Sequence, residues 1–425
     1  RTFNDNVKHD TYYVYDDFGN LTFVLPPKVS TSDGTVSATE LNKLCYQYKY
    51  DGRNRLIEKK VPGKRWESIV YNKLDKPVLT QDEKLDEDNK WLFTKYDAFG
   101  RVAYTGLISN SSSRVTLQNL ANGNSYPSQY ETRTNASPTV GGVPLNYTYS
   151  GAIPTSIEKI YTINYYDNYD SFNVGFAKPE ANYFGVDLVD GIQTKGLSTA
   201  SRVNVLNTTS YINTLMGYDA KGRLIWQRTD NTYLNTSDEV HYNLDFTGKV
   251  LESRSEHRKG SNPEIVTTDY FTYDKLGKLL THKQRVDNGS SVGDLELITQ
   301  NIYDDLGQLE SKLVGGETTL DQEPGTEQGL QDIDYRYNVR GWLTDINNVD
   351  QATAGASDLF NFRINYDILA SGDTKIEGGL YNGNISRTIW KSLGFDKRKR
   401  SYIYDYDHLN RIKNSHSYRN HLDLE

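Results

Sequence analysis

Cysteine, methionine and long apolar runs are what this sequence has least of. A single cysteine, Cys45, in 425 residues excludes an intrachain disulfide and a zinc site built from several thiolates of one chain. No run of about 18 apolar residues occurs, so the chain carries no candidate transmembrane helix. Positive charge is not in excess: 48 Lys and Arg against 56 Asp and Glu give a formal charge of -8, with the signs interspersed. That balance excludes the broad cationic footprint of nucleic-acid or anionic-membrane binding. No Gly-x-Ser-x-Gly elbow, His-Glu-x-x-His, P-loop or Rossmann fingerprint is present. One Met, and the lack of Ala/Leu/Glu/Lys blocks, speak against a helix bundle. The chain opens at Arg1 without a signal-like apolar segment, and we read it as a piece of something longer.

What is abundant is tyrosine, 33 against 13 Phe and 5 Trp, together with 33 Gly. Rings with a polar edge suit strands, where one end packs and the hydroxyl finds a partner. Many glycines suit tight turns, and the expected class is all-β.

A heptad, Tyr-Asp-x-x-Gly-(Arg/Lys/Asn/Gln)-(Leu/Val), organises the chain. It runs from Tyr15, Asp16 and Gly19 to Leu21, and from Tyr96, Asp97 and Gly100 to Val102. It returns with Tyr218, Asp219 and Gly222, with Tyr273, Asp274 and Gly277, and with Tyr303, Asp304 and Gly307. Degenerate copies begin at Tyr50, Tyr71, Leu244, Tyr337 and Tyr406; we frame the one at Tyr71 as ending on Val78. The physics is that of a hairpin. Asp accepts hydrogen bonds from the next backbone N–H groups in an Asx-turn, and Gly three places on takes the positive φ that ends it. A type I turn closed by a left-handed residue is a favoured hairpin connection. Tyr should then lie across from, or diagonal to, a Leu/Val/Ile of the returning strand, a pair contributing roughly 0.2–1 kcal/mol. An isolated hairpin is marginal in water, so the units need one another. Stacked side by side they give one long antiparallel sheet that must twist and protect its edges.

At these heptads the chain resembles the RHS/YD-repeat family, which includes bacterial Rhs shell proteins, the C component of Tc toxin complexes and the teneurin shell. The likeness covers roughly residues 10–105 and 211–418. Segments Tyr335–Leu343, Asp358–Phe360 and Tyr381–Ile385 are similar to those just before the RHS-associated core. The resemblance implies tandem hairpins forming one long coiled sheet, part of a hollow β-shell. It further implies a secreted or surface location and a C-terminal segment, often a toxin, enclosed or displayed. Self-cleaving members carry Asp-Pro motifs; none occurs among the 11 prolines here, so neither autoproteolysis nor a toxin is assigned.

The domain reading is hairpins over 1–107, a divergent loop or insertion over 108–210, and hairpins again over 211–425. Ser109 to Ser113, Pro127, Pro138, Gly141-Gly142, Pro144 and Pro154 mark a long loop at about 108–155. The alternating stretch Ile160–Asp167 should rejoin the sheet.

Other residues receive structural readings. Cys45 is a buried or semi-buried thiol. His408, His416 and His421 are strand or surface histidines rather than metal ligands. The recurring aspartates cap turns rather than hold calcium or catalyse, since Asn replaces Asp at 72, 338 and 382. Lys397–Arg400 is a solvated hairpin loop, and Asp82–Asp88 an exposed acidic loop tip. The sequence thus implies no enzyme, no cofactor and no metal. Its expected partners are a cargo segment of the same polypeptide or a secretion or surface protein, with no nucleic acid. An adhesin contacting glycans or protein, and a carbohydrate-active enzyme, are the rival readings; no pair of acids stands out for the latter.

Overall fold

The computed structural model describes residues 2–4, 7–29, 35–126, 128–170, 172, 174–351, 358–366, 380–393 and 398–419. Pro127, Lys397 and His421 lie outside these. The chain is all-β, with 46% strand and 7% helix, and divides into two compact units, Arg1–Glu239 and Val240–Glu425.

In the first unit Tyr12–Tyr15 and Leu21–Leu25 form a hairpin, followed by Tyr46–Tyr50 with Leu56–Lys60 and Glu67–Tyr71 with Pro77–Gln81. Lys90–Tyr96 with Val102–Ser109 completes the first run. Each strand also pairs antiparallel with its neighbour in the chain. Val102–Ser109 then takes Lys159–Tyr166 as its next partner, and Ser198–Asn204, Tyr211–Tyr218 and Leu224–Asn231 follow in order.

The intervening stretch is not all loop. It contains the helix Arg114–Asn122, capped where Ser113 Oγ accepts from Thr116 N–H, with Leu117 and Ala121 buried. Its Gln118 amide donates to the Tyr71 carbonyl at 2.7 Å and accepts from Tyr71 N–H at 3.0 Å. That pair of bonds gives the strand Glu67–Tyr71 side-chain partners where a neighbouring strand would otherwise supply them. The acidic run also departs from its loop reading. Glu83–Glu87 is a short helix whose N-cap Asp82 accepts from Leu85 N–H at 2.9 Å, so Asp82 and Glu83 sit at the end of the helix that carries unsatisfied donors.

Strand alternation puts Val70, Leu79, Trp91, Phe93, Tyr104, Ile108, Ile163, Tyr165, Ala200, Leu215 and Trp226 on one face of this unit's sheet, and all are buried. Residues 130–153 pack on that face and contribute buried Leu145, Tyr147, Ala152 and Ile153. Tyr104, Tyr147, Tyr165 and Phe172 form a chain of ring contacts 4.7–5.9 Å apart. The opposite face is hydroxyl-rich, with cross-strand bonds Thr105–Thr162 and Thr214–Thr229.

In the second unit Val250–Lys259, Ile265–Tyr273, Leu279–Asn288, Leu295–Tyr303, Leu309–Val314 and Gln331–Tyr337 pair antiparallel in chain order. Leu343–Ile346, Phe360–Asn365, Arg387–Ser392, Arg400–Tyr406 and Ile412–Arg419 continue the series. Its strands reach ten residues. Yet its buried apolar side chains, among the described residues, are Val266, Leu297, Val349 and Ile403. Buried positions there are mostly polar, as at Thr268, Thr281, Lys283, Gln300, Asn361 and Lys391.

Candidate functional site

The feature repeated most often is the turn. In all ten copies the N–H of the second residue donates to the carbonyl of the sixth at 2.9–3.0 Å, and the N–H of the fifth donates back to the second at 2.8–3.2 Å. The fifth residue has φ between 58 and 97°, whether it is Gly19, Gly100, Gly222, Gly248, Gly277, Gly307 or Gly341, or the substitutes Asn54, Asp75 and Asn410. Asn and Asp tolerate that region better than other side chains, which is why they replace Gly here.

The second-position carboxylate is consumed by the turn. Asp97 Oδ1 accepts from Phe99 N–H and Arg101 N–H, both at 2.9 Å, while Arg101 Nε reaches Oδ2 at 2.6 Å. Asp16, Asp51, Asp219 and Asp407 repeat the arrangement with Asn20, Arg55, Arg223 and Arg411. Asp274 and Asp304 accept from the sixth N–H at 2.7 Å. The Asn20 side-chain amide leads in holding Asp16 below the ordinary carboxylate value. Burial pushes Asp51 and Asp219 up, and the arginine side chains with the turn N–H groups pull them further down. The Arg411 N–H leads in lowering Asp407 to about 2. Carboxylates held as hydrogen-bonded anions are poor general acids.

The first-position tyrosine stands directly across from the seventh residue in the nine turns Tyr15↔Leu21, Tyr50↔Leu56, Tyr71↔Pro77, Tyr96↔Val102, Tyr218↔Leu224, Tyr273↔Leu279, Tyr303↔Leu309, Tyr337↔Leu343 and Tyr406↔Ile412. The copy at Tyr71 therefore ends on Pro77, one place before the Val78 of the sequence reading. In each case the residue after the seventh is skipped as a bulge, which turns the tyrosine toward the previous hairpin.

That orientation creates a ladder. Tyr50 OH donates to the Leu21 carbonyl at 3.0 Å, Tyr71 to Leu56 at 2.9 Å, Tyr96 to Pro77 at 2.8 Å, Tyr273 to Val250 at 2.9 Å and Tyr303 to Leu279 at 3.0 Å. Each acceptor is the seventh residue of the preceding hairpin, so one side chain ties consecutive repeats. Tyr166 and Tyr366, each opening a Tyr-Asp dipeptide without the rest of the heptad, bond Val102 and Leu343 in the same way at 3.0 Å. Burial pushes the Tyr50, Tyr71, Tyr96 and Tyr273 hydroxyls up, which keeps them protonated as donors.

An eleventh turn lies where no heptad is legible. Asn182 N–H donates to the Val186 carbonyl, Gly185 N–H donates back, and Asn182 Oδ1 accepts from Phe184 and Val186 N–H. Only the sequence Asn-Tyr-Phe-Gly-Val signals it, with Ala181 in place of the aromatic.

Buried lysines fasten loops onto the sheet. Lys95 and Glu131, both with fully buried side chains, lie 2.7 Å apart. Lys95 Nζ also donates to the Tyr149 and Ala152 carbonyls, and Glu131 accepts from Thr148 Oγ1 and the Gly151 and Ala152 N–H groups. The second unit uses the same device. Lys283 lies 2.6 Å from buried Glu327 and donates to the Thr319 carbonyl at 2.7 Å.

Cys45 is fully buried, His416 contacts Asp405 at 3.1 Å, and Lys399 meets Asp350 at 3.0 Å. Among the described residues, no helix is long and apolar enough to cross a membrane.

No family model and no curated protein matches the chain. Solved structures do. A crystal structure of TcdB2-TccC3-TEV aligns over 95% of this chain and 18% of its own, at 11% identity and a TM-score of 0.28. A crystal structure of TcdB2-TccC3 without its hypervariable C-terminal region aligns over 97% and 23%, at 12% identity and 0.20. A Photorhabdus luminescens Tc holotoxin pore aligns over 93% and 23%, at 11% and 0.19. The chain thus spans about a fifth of the length of the structures it matches.

Proposed function

We propose that this chain is a non-catalytic wall, a segment of a coiled shell that encloses or displays another part of its own polypeptide in a secreted or surface protein. The observation that supports it is the second unit, whose long strands carry charged and hydroxyl side chains on both faces with few buried apolar residues. Such a sheet can have water on either side, as a partition between two aqueous spaces must. With few apolar side chains buried, its cohesion rests largely on the turns, the tyrosine ladder and the polar anchoring of the loop that Lys283 and Glu327 hold. The carboxylates that recur along it are committed to those turns, which leaves them no catalytic duty.

Protease protection in the natural full-length protein tests the reading. The segment following this chain should resist digestion while the wall is folded and be cut once the wall is opened by denaturant. Equal digestion in both states would contradict enclosure.

A further inference from the structure

The turns Tyr273–Leu279 and Tyr303–Leu309 leave a groove of about 540 Å³ between them, walled on one side by Pro324 and Gly325. Its floor and lips are apolar, formed by Leu276, Leu280, Ile302 and Leu306, and Leu276 and Leu306 are 84% and 86% exposed. Exposed apolar side chains recur at the tips of these turns, as at Phe18, Phe99 and Phe246; what is particular here is that two of them flank one groove.

The charge around the groove is one-sided. Asp274, Asp304 and exposed Asp305 line it. The sole lining cation, Lys278, is drawn inward, donating to the Gly307 carbonyl at 2.8 Å and lying 4.8 Å from the Tyr303 ring centre. Residues 314–334, which supply the Pro324–Gly325 wall, contain six acidic residues and no Lys or Arg. Of these Glu317, Asp321 and Glu323 are exposed.

We propose that this groove docks a polypeptide segment bearing large apolar side chains flanked by Lys or Arg. The apolar chain would fill the space between the two leucines, and the flanking cations would meet the acidic rim; the volume lies in the range of small binding sites. Charge complementarity selects this occupant over an uncharged or acidic segment. The inference is independent of the enclosing role, because an accessible groove binds whether or not the sheet surrounds a cargo.

Fluorescence anisotropy with the labelled peptide KKLFLKK, against the charge-reversed EELFLEE, tests it on the whole chain. Saturable binding of the basic peptide is expected, with the acidic one at least about tenfold weaker. The double variant Leu276→Ser/Leu306→Ser should weaken binding by tenfold or more, since both side chains would be covered by the ligand. Asp305→Lys, a surface change that leaves the turn bonds in place, should weaken it several-fold and flatten its salt dependence. No saturable binding, equal binding of the two peptides, or unchanged binding by both variants would overturn the proposal.

Discussion

The two units use one turn and differ in what lies over the sheet. In the first, the polypeptide between Ser109 and Lys159 packs on one face and buries Trp91, Phe93, Tyr104 and Tyr165 with its own Leu145 and Tyr147. In the second, longer strands carry Thr268, Thr281, Lys283 and Gln300 at the corresponding buried positions. The same hairpin therefore serves a sheet with an apolar core and a sheet largely without one. Turn closure, the tyrosine ladder and a loop held by a buried lysine–glutamate pair are common to both, and the second unit, with fewer buried apolar residues, should depend on the turns and the ladder more heavily.

The largest effect that would break this comparison belongs to the first unit. Glu131→Ala leaves Lys95 buried without its counterion and removes the acceptor of two backbone N–H groups, and should cost about 3–5 kcal/mol. Denaturant unfolding should show the loss in the first unit, with hydrogen exchange in the second unit unchanged. Uniform destabilisation of both would mean that the loop does not supply a core of its own.

Next are the turns. Gly222→Ala and Gly277→Ala each place a Cβ at a positive φ, +75° and +87°, at roughly 1–2 kcal/mol. The added atom meets Leu197 at an ordinary 3.6 Å in one and the mobile end of Lys249 in the other, so backbone strain dominates both. Amide exchange should quicken across the neighbouring hairpins for Gly277→Ala and stay local for Gly222→Ala, where the apolar face holds the strands.

Removing a single rung is smaller. Tyr273→Phe deletes the bond to the Val250 carbonyl and should cost about 0.5–1.5 kcal/mol, read as a lowered unfolding midpoint. No change would place the cohesion of the repeats elsewhere.

Acid should have the smallest effect and should not separate the units. Asp16, Asp51 and Asp219 in the first unit and Asp245 and Asp407 in the second sit below the ordinary carboxylate value, Asp407 at about 2. A lowered folded-state value gives stability that is complete above the unfolded value near 4 and is lost as pH falls through the folded one. Circular dichroism should show strand signal weakening as pH falls from about 4 to about 2, and an unchanged signal would contradict the role given to these carboxylates.

The all-β class was legible because turn chemistry is local. Asp, Gly and an aromatic at fixed offsets determine a hairpin wherever they fall, and Asn54 or Asp75 in place of Gly does not change the bend. What was not legible depended on partners distant in the chain. The hydroxyl acceptor of Tyr166 lies 64 residues away, Glu131 meets Lys95 across 36, and the Asn182 turn lacks its aromatic. The helix Arg114–Asn122 was hidden because only Leu117 and Ala121 of its face are buried, too short a stripe to show as a period.

Cryo-electron microscopy of the natural full-length protein tests the central claim most directly. A continuous wall of consecutive hairpins bounding a lumen is the predicted result. Separate globular domains with filled cores, or a straight rod without a lumen, would contradict it.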